Sequence, residues 1–280
     1  QKLKKAGATN FRINLSHATT KSTEEYINKL QSIDINASLD TQGAQLRTAS
    51  GTKLRQLKSN EMVKIGFVDM ETGDNEMDFY FNHKEAYEQI QVNDNIRIDF
   101  EGLTVKVKTK YETHLEALCI NPGNIKENKA VDVINRSLKL NPLTQFDKEI
   151  IRRCAVKNIE KIYLSFANNS DDVLQLKELM KESGYSNTKI VAKIETVQAL
   201  ANLNNILDVV DGVLIDRGDL SREISISKIP HACDVVLSLA KKKMVPCYVA
   251  TNVLETMIQN PLIQMLEAFV VFHVLLPTLD

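Results

Sequence analysis

Lys193, Glu195, Asp216, Arg217 and Asp219 are the residues whose types and spacing point most directly to chemistry. They close two short apolar runs, KIVAKIET and VVDGVLIDRGDL, in the stretch from Lys189 to Leu220. Apolar runs of this length, bounded by turn signals and separated by one helix-like segment, predict buried parallel strands. Charges at the carboxyl ends of such strands are poor packing residues, and in a β/α barrel that rim is where active sites sit. Glu195 and Asp219 are hard oxygen ligands suited to magnesium or manganese. Lys193 precedes Glu195 by two positions, so on a strand both point to the same side. A divalent cation with an ammonium beside it is equipment for handling phosphate. The plainer alternative is a salt-bridge network at a sheet rim. The convergence of strand-end charges is what geometry must decide.

The elements that would position these residues follow in chain order. LKKAG reads as the end of a helix capped by Gly7. FRINLSH predicts a short strand with Arg12, Asn14 and Ser16 alternating against Phe11, Ile13 and Leu15. Ser22 to Glu25 has the form of a capping box opening a helix with Tyr26, Ile27 and Leu30 on one face. INASLDT predicts a second strand, running on into QGAQLRT. From about Thr48 to Asn128 the texture changes to period-two alternation in MVKIGFVDM, MDFYFN, NIRIDF and LTVKVKT, with turns at ETGDNE, VNDN and EG. That predicts an inserted stretch of antiparallel β structure.

The α/β pattern then resumes. A helix opens at Thr144–Asp147, with Phe146, Ile150, Ile151 and Cys154 facing in, and the strand KIYLSF follows. Ser170 is the expected cap of the next helix, with Val173, Leu176, Leu179 and Met180 inward and Gly184 closing it. After the two runs described first, Ile229, Ala232, Cys233, Val236, Leu237 and Ala240 form a helical stripe, and VPCYVAT is a final strand leading to NVLETMIQNPL.

Composition sets broad limits. The chain has 280 residues, 43% of them hydrophobic, and a formal net charge of −1. That gives no reason to expect nucleic acid or a membrane surface as partner. The apolar run Ala268–Leu276 is too short to span a bilayer, and QKLKKAGATN lacks the apolar region of a signal peptide. Cys119, Cys154, Cys233 and Cys247 are widely spaced, without a CxxC pair, and read as thiols of a reducing compartment. The expected location is cytoplasmic.

KIET and DRGDL resemble the KIEN and ARGDL segments of the pyruvate kinase family, and FRINLSH and LDTQGAQLRT resemble its ARLNFSHG and LDTKGPEIRTG. The four motifs occur in the family's order. The resemblance implies an α/β protein, a (β/α)8-type (TIM) barrel with a small all-β lid domain inserted after the third barrel strand. The barrel domain would comprise 1–47 and 129–262 and the lid 48–128, with 263–280 an unassigned apolar tail. It implies phosphotransfer from phosphoenolpyruvate to ADP, giving pyruvate and ATP.

By the same resemblance, Lys193 stabilises the phosphoryl group in flight, while Glu195 and Asp219 hold Mg2+ or Mn2+. Arg12 meets the transferred phosphoryl and Arg47 the nucleotide phosphates, with His17 and Asn14 nearby; guanidinium forks suit that task. Asn14, Ser16, Asp40 and Thr41 correspond to the family's K+ site. Gly218, Asp219 and Thr251 correspond to substrate contacts. For Thr251 and the K+ set, plain capping and strand-end hydrogen bonding stand as equal alternatives.

The chain also departs from the family. Gln42, Ala44 and Gln45 replace residues of LDTKGPEIR, and the Gln45 position is tied to potassium dependence. Asn168 stands where an arginine is usual, Asp216 where a small residue is usual, Ser221 for a glycine and Asn252 for a glutamine. Only six barrel strands are legible where the family has eight, and PTRAE does not follow NPL. The expected barrel is therefore incomplete, and the expectation is a poor catalyst in isolation. Two rivals remain open from sequence: a metal-dependent 2-keto acid lyase of the phosphoenolpyruvate/pyruvate barrel type, and a non-catalytic pyruvate-kinase-like binding protein. Allosteric control and oligomeric state, a homo-oligomer included, are not legible.

Overall fold

A computed structural model of the chain describes residues 1–250 apart from 50–51, 69, 71–75, 100–101 and 137. Thr251, the NVLETMIQNPL segment, most of the ETGDNE turn and the apolar tail 263–280 lie outside the described residues. The described residues form two compact units, one from 1–44 together with 141–250, the other within Gln45–Leu140.

Among the described residues the first unit holds six strands: β1 (Phe11–Asn14), β2 (Ala37–Asp40), β3 (Lys161–Leu164), β4 (Lys189–Ile194), β5 (Gly212–Asp216) and β6 (Cys247–Ala250). They form one sheet in sequence order, every neighbour parallel. Helices Thr20–Gln31, Gln145–Cys154, Ser170–Glu182, the pair Val197–Ala201 and Leu203–Leu207, and Ile229–Lys242 provide the crossovers. Parallel neighbours joined by helices are the β/α repeat, here an α/β barrel that is incomplete among the described residues.

The strands are two-faced because side chains alternate. Ile13, Leu39, Ile162, Leu164, Ile190, Ala192, Ile194, Val213 and Ile215 are buried in one cluster with the apolar stripes of the helices, among them Ile27, Ile150, Ile151, Leu176 and Val236. On the opposite face Tyr163, Val191 and Leu214 make a smaller cluster bordered by Tyr248 and Ala250. Arg12, Asn14, Asp40, Ser165, Lys193, Glu195 and Asp216 share the parity of that second face. The helices therefore consume one apolar set, and the polar strand ends go to the side the helices leave uncovered.

Two helix starts differ from expectation. The capping box of Thr20–Gln31 is Thr19 with Ser22, not Ser22 with Glu25: Thr19 N donates to Ser22 Oγ at 2.8 Å and Ser22 N to Thr19 Oγ1 at 3.2 Å. The hydroxyl pair satisfies the first-turn donors one turn earlier. Ile27 is buried, but Tyr26, expected inside, is 53% exposed. Asn169 rather than Ser170 caps Ser170–Glu182, its amide oxygen accepting from Asp172 N at 3.0 Å. The Thr144–Asp147 box is present as expected.

In the second unit Met62–Phe67, Phe79–Phe81, Asn95–Ile98, Leu103–Lys110, Leu115–Asn121 and Val131–Val133 form a six-stranded sheet, and Arg55–Leu57 pairs with Gly123–Ile125. One pair breaks the antiparallel expectation: Met62–Phe67 and Phe79–Phe81 run parallel. Short-range alternation does not encode strand direction. QGAQLRT does not continue β2 as a strand. Arg47 and Thr48 instead make isolated bridges to Ala130 and Phe81 within the second unit.

Candidate active site

The site is built at the carboxyl ends of β1 to β5. Lys193, on β4, lies nearly buried with its ammonium 2.7 Å from Glu195 Oε1, 3.5 Å from Asp40 Oδ1 and 3.7 Å from Asp216 Oδ2. It also donates to Ser165 Oγ at 3.2 Å. Burial alone would lower the ammonium's pKa, but Glu195, Asp40 and Asp216 outweigh it and hold Lys193 above its ordinary value, firmly charged. Ser165 follows β3 and ties three elements together. Its amide donates to Thr41 Oγ1 at 3.0 Å, and its hydroxyl is within reach of Thr41 O at 2.7 Å and Asp40 Oδ1 at 3.2 Å.

Glu195 is fully enclosed. Its Oε2 accepts from Phe166 N at 2.6 Å. Its Oε1 faces the Lys193 ammonium at 2.7 Å, a charge-assisted pair. Burial raises the Glu195 pKa, the neighbouring Asp219 and Asp216 carboxylates raise it further, and Lys193 opposes them. A bound cation would reverse that balance. Phe166 holds a φ of 52° as it presents its amide to Glu195. That is a strained backbone for an aromatic residue and is retained beside the site.

Glu195, Asp216 and Asp219 each offer a carboxylate oxygen within 4.8 Å of the others. An all-oxygen donor set that includes a buried Glu195 carboxylate suits a hard divalent cation. Asp219 lies in the short helix Arg217–Leu220 and faces Arg222 Nη1 at 3.8 Å. Gly218 is in the same turn, its carbonyl accepting from Ser221 Oγ at 2.7 Å.

Arg12 Nε is 3.3 Å from Asp40 Oδ2, and its guanidinium sits over the Tyr163 ring at 5.2 Å from the centroid. The side chain remains 33% exposed. A carboxylate and an aromatic face thus fix the fork while leaving an accessible edge.

The other predicted residues divide as follows. Asn14 is the register partner of Asp40 on β2, and its Oδ1 accepts from Ser16 N at 2.9 Å. Ser16 and the exposed His17 occupy the single 3-10 turn after β1. Thr41 is buried against Ser165. Arg47 belongs to the second unit, where Nη1 donates to Asn128 O at 3.2 Å. Gln45 is the first residue of that unit, and its buried Oε1 accepts no hydrogen bond.

The profile of the family described as "Pyruvate kinase, barrel domain" matches residues 1–279. The chain belongs to the pyruvate kinase family. It is 30% identical over 258 residues to a pyruvate kinase of Borreliella burgdorferi, covering 91% of this chain and 54% of the relative. A pyruvate kinase of Clostridium perfringens is 30% identical over 263 residues, covering 91% and 55%. One of Thermotoga maritima is 28% identical over 268 residues, covering 93% and 57%. The chain thus spans about half the length of the pyruvate kinases it matches. No helix among the described residues is long and apolar enough to cross a membrane.

Three site residues of this pyruvate kinase family member were not singled out from sequence. Ser165 and Tyr163 were accessible in principle, since they continue the inward parity of β3. Asp147 was noted only as part of a helix start. It is completely buried, and its Oδ1 accepts from Gln42 N at 2.8 Å while Oδ2 accepts from Gly43 N at 3.2 Å and Thr144 N at 3.0 Å. It clamps the turn that follows Asp40 and Thr41. Gly43 has φ +71°, and a Cβ there would fall 2.6 Å from Ser165 O, so the turn needs glycine. Asn168, in place of the family's usual arginine, serves local structure: its side-chain Oδ1 accepts from Thr196 Oγ1, while its backbone carbonyl accepts from Asn202 Nδ2 at 2.9 Å and its backbone N–H donates to Asp172 at 2.8 Å. The thiols are inert by placement. Burial pushes Cys154 up to about 11 and Cys247 up to about 12.

Proposed function

We propose that these residues are the catalytic part of a pyruvate kinase, which transfers the phosphoryl group of phosphoenolpyruvate to ADP. The observation that carries the reading is the Lys193 ammonium, held between Glu195, Asp40 and Asp216 at the carboxyl ends of parallel strands, with Asp219 beside them. Phosphoryl transfer asks a protein mainly for positioning and charge neutralisation, and this cluster supplies both.

In this reading Lys193 meets the negative charge of the phosphoryl group during transfer. Arg12, preset by Asp40 and Tyr163, presents its accessible N–H edge to phosphate oxygens without first having to be ordered. Glu195 and Asp219 would hold Mg2+ or Mn2+, which would supply Lewis-acid neutralisation of negative charge on the substrate. Ser165 keeps the ammonium directed, because it is fixed in turn by Thr41. Asn14, Ser16, Asp40 and Thr41 as K+ ligands, Gly218 and Thr251 at the substrate carboxylate, and His17, Asn14 and Arg47 at the nucleotide are carried by the family resemblance. A cytoplasmic, glycolytic setting belongs to the same proposal.

The test is a coupled assay for pyruvate from phosphoenolpyruvate on the chain, with Mg2+, with and without ADP. Pyruvate that depends on ADP and is lost in Lys193→Met supports the reading. Pyruvate formed equally without ADP points to lyase- or phosphatase-type chemistry. Absence of turnover in a chain that still binds Mn2+ would favour a binding protein.

A further inference from the structure

We propose that Asp147, outside the charged cluster, is a positioning residue for catalysis: through the turn at Gln42 and Gly43 and through Ser165 it sets the direction of the Lys193 ammonium. The proposal rests on reading Lys193 as the residue that meets the phosphoryl group.

Asp147 does more than a helix start requires. It forms the capping box of the helix Gln145–Cys154 with Thr144, for which one carboxylate oxygen on the Thr144 amide suffices. Such a residue stands at a helix end and can stay in water, yet Asp147 is completely buried. Its Oδ1 accepts from Gln42 N at 2.8 Å, and its Oδ2 accepts from Gly43 N at 3.2 Å beside Thr144 N at 3.0 Å. Two of its three donors thus come from a turn 105 and 104 positions earlier. A buried carboxylate is tolerated where both oxygens are met, and here the turn meets them. The Gln42 side chain adds a second tie, with Thr144 Oγ1 donating to its Oε1 at 3.0 Å.

From the turn to the ammonium the contacts leave no slack. A Cβ on Gly43 would fall 2.6 Å from Ser165 O and 2.7 Å from Ser165 Cβ, so the Gly43 backbone lies directly on Ser165. Thr41, the residue before Gln42, accepts Ser165 N on its Oγ1 at 3.0 Å and the Ser165 hydroxyl on its carbonyl at 2.7 Å. With its proton given to Thr41 O, that hydroxyl offers a lone pair to Lys193 Nζ at 3.2 Å. Ser165 is the neutral partner of an ammonium otherwise faced by carboxylates. A shift of the turn therefore redirects the ammonium without changing its charge. All of these residues belong to the first unit.

The kinetic consequence follows from geometry. A misplacement of about 1 Å in a positioned group costs on the order of a hundredfold in rate. A redirected ammonium still attracts an anion in the ground state, so the loss belongs in kcat rather than in KM.

The experiment compares the wild-type chain with Asp147→Asn, Asp147→Ala and Ile150→Val, the last a change in the completely buried apolar core of the same helix. Pyruvate formation from phosphoenolpyruvate with ADP and Mg2+ is measured at a temperature where circular dichroism shows each chain folded. The proton–nitrogen spectrum of the lysine ammonium groups is recorded in parallel, with Lys193→Arg identifying the Lys193 signal. The expected kcat is lower by about 3- to 10-fold in Asp147→Asn and by about 10- to 100-fold in Asp147→Ala, with KM for phosphoenolpyruvate within about twofold of wild type. The Lys193 ammonium signal should shift in both, while Ile150→Val keeps the wild-type kcat and signal. Unchanged kcat and an unshifted signal in Asp147→Asn would overturn the proposal and leave Asp147 a helix cap. An equal loss in Ile150→Val would overturn it too, by assigning the effect to stability. So would a wild type in which Lys193→Arg removes no signal, because its ammonium is then not held. If Asp147→Ala does not fold, Asp147→Asn decides alone. A wild type without ADP-dependent pyruvate removes the phosphotransfer reading, and the ammonium signal then decides the positioning: a shift in Asp147→Asn supports it and an unshifted signal overturns it.

Discussion

Replacing Asp147 by asparagine should cost the barrel unit about 1–2 kcal/mol. The wild-type carboxylate is the acceptor for three backbone donors, Gln42 N on Oδ1 and Gly43 N and Thr144 N on Oδ2. An asparagine oriented with its oxygen at the Oδ2 position keeps the Gly43 and Thr144 bonds and turns its NH2 toward Gln42 N, leaving that N–H without an acceptor. One orphaned donor costs about 1–3 kcal/mol. Burial raises the Asp147 pKa, so the carboxylate itself carries a desolvation penalty that a neutral amide escapes. That offset places the expected loss in the lower part of the range. Urea unfolding followed by far-ultraviolet circular dichroism measures it, with tyrosine fluorescence as a second probe in a chain with 7 tyrosines and no tryptophan. Because the chain has two compact units, the loss should appear in one transition while the other keeps its midpoint. Amide exchange at Gln42 should accelerate in step. A loss below about 0.5 kcal/mol, or unchanged exchange at Gln42, would show that the turn is held by something other than this carboxylate.

The same turn makes Gly43→Ala costly. The new methyl would sit 2.6 Å from Ser165 O and 2.7 Å from Ser165 Cβ at a left-handed φ, so a melting temperature unchanged from wild type would contradict the close approach. The expected penalty is about 1–3 kcal/mol, with loss of turnover because Ser165 moves. Lys193→Met removes the ammonium from among three carboxylates. Stability should fall by about 3–5 kcal/mol in metal-free buffer and recover in part with Mn2+, by thermal melting, whereas equal melting of variant and wild type would mean that Lys193 is not the counter-ion of this cluster.

Local sequence determined the repeating parts of this protein. Six runs legible as strands became six parallel strands, the apolar face of each turned to the helices. The helix stripes around Ile150, Leu176 and Val236 packed as their spacing requires. Lys193 and Glu195 could be placed on one side of β4 from parity alone, and their contact follows from that placement. The start of the first crossover helix was legible only to within a turn, since two overlapping hydroxyl patterns competed and the Thr19–Ser22 pair won.

Tertiary structure decided what depends on partners distant in sequence. Gln42 and Asp147 are separated by 105 positions, and no local pattern announces that one carboxylate will hold the other segment's turn. Strand direction in the second unit was equally hidden, because alternation is the same for parallel and antiparallel neighbours. Arg47 read as the end of a barrel segment but joined the second unit, since a backbone bridge to Ala130 settles its membership and its own residue type does not. Asp216 was visible in the sequence only as an added charge. Its approach to Glu195 and Asp219 needed β4 and β5 in register and the turn after β5 folded back, a set of distances that only the assembled sheet fixes.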